Sequence, residues 1–231
     1  MKTLKENQTG FLKIVTILLV IIVGCTSCNN DDEAATTNPG TTSSDIIAVP
    51  FFVETADKQM PTSADQLLYE TRNHNPVKAP DGQHLSWGEF SQVTGTVIVN
   101  CMGANVKVDL TLNGLIPNGV YTIWNVTFDA PGMDPSETML GLDGIGAAGK
   151  GNGSDNYFTA SANGSASISI ISPGGSLSMM GTMEACPLTD NFEWHIIGTY
   201  HMDGKTYGPD LGPDGTVAEQ FGFIFKNETP Q

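Results

Sequence analysis

Val106-Lys107-Val108-Asp109-Leu110-Thr111-Leu112 alternates apolar and polar residues without a break. A period of two sends alternate side chains to opposite faces, so this run reads as a strand with one face in a core. Just upstream, Val97 and Val99 alternate with Thr96, Ile98 and Asn100, and Gly103 between the runs suits a hairpin turn. Downstream, Pro117-Asn118-Gly119 is a turn and Val120–Phe128 a further strand. Residues 158–161 and 166–171 flank Asn163-Gly164, a dipeptide of tight hairpins, with Ala166, Ile168 and Ile170 facing away from Ser165, Ser167 and Ser169. Glu193–His201 and Val217–Lys226 complete the strands, the latter placing Phe221, Phe223 and Phe225 on one face, toward the core. One helix is expected from Ser63 to Asn73, because Ser63 and Gln66 have capping-box spacing ahead of Leu67, Leu68 and Tyr69. Helical runs between the strands are missing. The fold class is therefore all-β, an antiparallel β-sandwich (Ig-like or similar) with one short N-terminal helix.

At the start of the chain, Lys2, Lys5 and Lys13 precede an uncharged apolar run, 14–23, half the ~20 residues a spanning helix needs. Ile22-Val23-Gly24-Cys25 follows. This ending resembles the lipobox of bacterial lipoproteins. The resemblance implies cleavage before Cys25, lipidation of its thiol by acyl chains of the palmitate kind, and attachment to a membrane by lipid. Cys28 is the rival lipid site, but its −3 residue would be Cys25, a poorer match. Thr26 at +2, where an aspartate would retain the protein at the inner membrane, implies the outer membrane of the cell envelope. Asn29-Asn30-Asp31-Asp32-Glu33 resembles surface-export signals of some lipoproteins; a solvated tether is the plain alternative. The expected organisation is a signal peptide over 1–24, a flexible acidic and Ser/Thr-rich tether over 25–47, and the β-sandwich domain over 48–231.

Removing residues 1–24 takes away three lysines and one glutamate, leaving 7 basic against 24 acidic residues and a net charge of −17. So acidic a chain is repelled by phosphate backbones, which excludes nucleic acid as a partner. Cys101 and Cys186 remain in the domain, and an oxidising compartment makes them a disulfide. Closing so long a loop stabilises by roughly 3–5 kcal/mol.

The run from Gly114 to Trp124, Gly-Leu-Ile-Pro-Asn-Gly-Val-Tyr-Thr-Ile-Trp, faintly resembles a strand and turn of secreted sandwich domains of the chordin-repeat or copper/zinc superoxide dismutase type. The dismutase metal site needs more histidines than the four here, His74, His84, His195 and His201, so no site residue carries over.

Other candidates are sparse. His195 and His201 share a strand face but lie ~20 Å apart at ~3.3 Å per residue, too far to hold one ion, and read as polar residues at the sheet surface. Met179, Met180, Met183 and Cys186 form a soft-ligand set suited to copper(I). Asp129, Asp134, Glu137, Asp143 and Asp155, in a glycine-rich insertion over 129–156, could offer oxygens to calcium. Gly144 to Lys150 spells G-x-x-x-x-G-K, but Gly151 stands where a nucleotide loop needs Ser or Thr. His201 with Asp203 or Asp210 could form a base and its orienter, without a nucleophile motif beside them. Trp87, Trp124 and Trp194 with Tyr121, Tyr200 and Tyr207 could build a sugar-stacking platform, Trp87 being the exposed one. The reading is a lipid-anchored binding or structural module of the envelope with a protein or glycan ligand, no cofactor and no catalytic residue. A metal-handling protein (copper or calcium) and a secreted hydrolase using carboxylates and His201 are the alternatives.

Overall fold

The computed structural model describes residues 41–43, 46–48, 52–132, 141–184 and 186–227. The signal peptide, Cys25 and Cys28 lie outside the described residues. In chain order the strands are β1 Thr41–Ser43, β2 Ile46–Ala48, β3 Val53–Glu54, β4 Tyr69–Glu70, β5 Thr94–Met102, β6 Asn105–Asn113 and β7 Val120–Phe128. Then come β8 Leu142–Ala147, β9 Tyr157–Thr159, β10 Ala166–Pro173, β11 Gly175–Ser176, β12 Thr182–Met183, β13 Glu193–His201 and β14 Val217–Lys226. Two one-turn helices, α1 Trp87–Phe90 and α2 Pro187–Asp190, complete the set.

The two main sheets are antiparallel. One runs β1-β5-β6-β10; the other runs β2-β14-β13-β7-β8, with β9 also on β7. The alternation in β5 and β6 places Val97, Val99, Val106, Val108, Leu110 and Leu112 inward. They pack on Tyr121, Ile123, Trp194, Ile196, Phe221 and Phe223 of the other sheet, and Phe225 stacks on Trp194 at a ring distance of 5.1 Å. This is the all-β antiparallel sandwich expected. Cys101 on β5 and Cys186 ahead of α2 form the disulfide, with Cα atoms 5.3 Å apart across 85 positions of sequence.

Three local expectations are corrected. No helix forms over residues 63–73. Gln66 Oε1 accepts from the Thr62 and Ser63 amides, but only one turn is made before β4 begins. The short helix lies instead at α1, where Ser86 and Glu89 form a complete capping box. Asn163-Gly164 does form a tight turn, yet not a hairpin, because β9 pairs with β7 and β10 with β6, so the chain passes from one sheet to the other. And β1, with the first two residues of β2, falls within the stretch read as tether; the two add an edge strand to each main sheet.

A layer outside the sheets closes one end of the sandwich. Backbone bonds run Leu68 N to Leu85 O (3.0 Å), Val77 N to Leu68 O (2.9 Å) and Leu85 N to Val77 O (2.9 Å). Leu68, Val77, Leu85 and Phe90 thereby turn into the core. Gln220, displaced inward at a β-bulge in β14, ties this layer down: its Nε2 donates to Phe90 O (2.7 Å) and its Oε1 accepts from Tyr121 Oη (2.5 Å).

Candidate functional site

A cleft of about 380 Å³ opens where this end layer meets the β6–β7 turn and the turn at Asn163. Its floor is Leu85, Leu115 and Ile116, all buried. Its rim is polar: Asp81, Gln83, Glu89, Gln92, Asn118 and Asn163. The three walls are joined to one another. A β-carbon at Gly114 would overlap Gln92 O, so only glycine lets those walls meet, and Leu115 N donates to Gly164 O (2.9 Å). Asn118 holds a left-handed backbone (φ 57°) that asparagine tolerates well. Glu89 is fixed by the Ser86 amide (2.8 Å) and hydroxyl (2.9 Å) and by Gln83 Nε2 (2.6 Å); the Ser86 bonds, chiefly, hold its carboxyl below the usual range. The cleft is thus largely preformed, with hydrogen-bonding groups at its mouth.

The outer face of the six-stranded sheet is not the polar surface expected. His195 and His201 are 3% and 1% exposed. Trp124, Ala147 and Ile197 form a second apolar cluster there with Val126 and Leu211, so the segment after β13 roofs the sheet. His195 Nε2 pairs with Glu193, which also contacts Lys226 Nζ (3.5 Å) and the Gly132 amide (3.1 Å). Burial, opposed by Glu193, lowers the His195 pKa. His201 Nε2 meets Thr122 Oγ1 (2.8 Å), which also accepts from Trp124 Nε1 (2.8 Å). Desolvation brings His201 down to about 4 and pushes the partly buried Glu219, opposite Thr199 on the same face, up to about 7.

The remaining sequence candidates are not assembled. His201 is paired with Thr122 rather than Asp203, whose carboxylate accepts from Tyr207 Oη, so the base and orienter are not formed. Met183 is buried while Met179 and Met180 are exposed, and Cys186 is oxidised, so the copper(I) set lacks its thiolate. Asp155 bonds the Lys150 amide (2.7 Å), and Asp134 and Glu137 lie outside the described residues. Trp87 is half-buried against the core, and Trp124 and Trp194 are buried on opposite faces of one sheet; no stacking platform results. Gly144 and Gly146 lie on β8 against Leu177, not in a phosphate loop.

Among the described residues, no group of three or more His, Cys, Asp or Glu is placed to hold a metal, and no helix is long and apolar enough to cross a membrane. Comparison with known proteins finds no matching family model, curated protein or solved structure. Gln92, on the cleft rim, carried no motif, and Asn163 was read only as a turn residue; their place on the rim emerges only when loops from three parts of the chain meet.

Proposed function

We propose that the chain is a lipid-anchored cell-envelope protein whose β-sandwich is a binding module, taking a glycan in the end cleft. The observation that carries this reading is the cleft itself: a preformed apolar floor under a rim of amides and carboxylates. Its volume falls in the ~300–1,000 Å³ range of small-ligand sites. Carboxamides and carboxylates converging on one hollow suit a ligand rich in hydroxyl groups, which both donate and accept. The absence of an aromatic from the rim makes hydrogen bonding, not stacking, the recognition mode. The Cys25 lipid and the acidic segment behind it would present this module at the membrane surface.

The test is an array of bacterial-envelope and host glycans probed with the protein and with a Gln92→Ala/Asn118→Gly variant, glycine keeping the left-handed backbone at 118. Both side chains are exposed, so the fold should persist. Saturable binding of one glycan class, weakened roughly tenfold or more in the variant, supports the reading (about 1.4 kcal/mol per tenfold). Equal binding by both proteins, or capture of protein ligands only, contradicts it.

A further inference from the structure

We infer that the anchored chain holds the sandwich by the pole opposite the cleft, so that the cleft faces away from the anchoring bilayer and takes a glycan borne outside the protein's own membrane. This deepens the reading above and rests on it, on the Cys25 lipid and on the end cleft alike. The strand registers carry it. At the cleft end lie Gln92, just before β5, and the connections β6–β7 and β9–β10. There too Val120, His201 and Val217 pair across the other sheet. At the opposite end the pairs are Met102 with Asn105, and Phe128 with Glu193 and Lys226. β1 pairs Thr41 with Val99 and Ser43 with Val97, so it runs toward the cleft and is entered from the Met102 end. β2 pairs Ile46 with Phe223 and Ala48 with Phe221, and so runs the same way on the other sheet. Beyond β2 the chain goes on into the end layer that walls the cleft.

Lengths favour the same orientation. Thr41 lies 16 positions after Cys25. A polar chain of that length spans ~22 Å on average and ~55 Å at most. Nine-residue strands set the two poles ~30 Å apart, before the end layer is added. To bring the cleft onto the bilayer, the same chain would have to be drawn out alongside the full height of the sandwich, which few of its conformations allow.

The entry is also arranged to carry a pull. Antiparallel ladders place their hydrogen bonds across the strands. A pull along β1 therefore loads its bonds to β5 together rather than one by one, and β2 does the same on β14. β5 is tied beyond its ladder: Cys101, two positions past Val99, is bonded to Cys186, which leads through α2 into β13. Tension between the lipid and a glycan gripped in the cleft thus runs lengthwise through both sheets. A ligand held on something other than the anchoring bilayer applies such a pull; headgroup sugars of the same bilayer do not.

The test uses the mature lipidated protein in nanodiscs of phosphatidylcholine carrying a lipid with a gadolinium-chelating headgroup. Methyl NMR spectra are compared with those from discs holding the diamagnetic lutetium chelate. The expected result is loss of the Met102, Leu142 and Leu188 methyl signals, with those of Leu85, Leu115 and Ile116 retained. Equal loss at both poles, or loss first at Leu85, Leu115 and Ile116, overturns the orientation and makes the cleft a reader of its own headgroup layer. A mature chain without lipid at Cys25 overturns it as well, by removing the anchor. The glycan array is read without a bilayer, so failure of the orientation and failure of the glycan-binding reading are separate results.

Discussion

Glu219 and His201 show how burial on the outer face sets pH behaviour residue by residue. In the unfolded chain Glu219 loses its proton near 4.5, but in the fold desolvation keeps it to about 7. Across that window only the folded state holds the proton, so stability falls as pH rises. His201 acts oppositely. The unfolded histidine takes a proton near 6.5, the folded one not until about 4, so stability falls as pH drops through that window. The two slopes oppose each other over their shared range. Glu219→Gln should remove one of them. Urea melts should then show stability rising with pH between the two His201 values, and an advantage over the parent near pH ~8 that is absent near pH ~4. Parallel curves for the two proteins would show that Glu219 is not desolvated as described.

At the scale of elements, Gly198 of β13 faces Phe221 of β14 across the bulge, and a β-carbon there would overlap the Phe221 ring. Gly198→Ala should therefore cost roughly 1–3 kcal/mol in chemical denaturation, through overpacking rather than lost hydrogen bonding. An unchanged midpoint would mean the ring has room to move. The long strands were the elements most legible in the sequence, though only β6 alternates strictly. β7, β13 and β14 match their expected bounds, and the inward faces of β5 and β6 are the valines and leucines expected. Alternation assigns a face but not its cover, so the burial of His195 beside Phe128 and of His201 beside Tyr207 could not be read from β13 alone. Local turn chemistry has the same limit: Asn163-Gly164 turns the chain as expected but says nothing of which sheet each flank joins. Ser63-x-x-Gln66 and Ser86-x-x-Glu89 have the same spacing, and a one-turn helix adds no periodicity to choose between them.

For the whole molecule, the proposal combines a tether, a rigid sandwich and a binding surface. Mass spectrometry of the membrane fraction should find the mature chain beginning at Cys25 and carrying thioether-linked lipid, and Cys25→Ala should leave the precursor uncleaved. A mature protein free of lipid, cleaved elsewhere, would remove the anchor while leaving the sandwich untouched. The central claim, that the end cleft is the binding surface, is tested most directly by methyl NMR of the protein titrated with a pool of envelope and host glycans. The account predicts saturable shifts of the Leu85, Leu115 and Ile116 methyls, with Val97 and Val108 in the sandwich interior unmoved. Shifts confined to other surfaces, or none at saturating glycan, would contradict it.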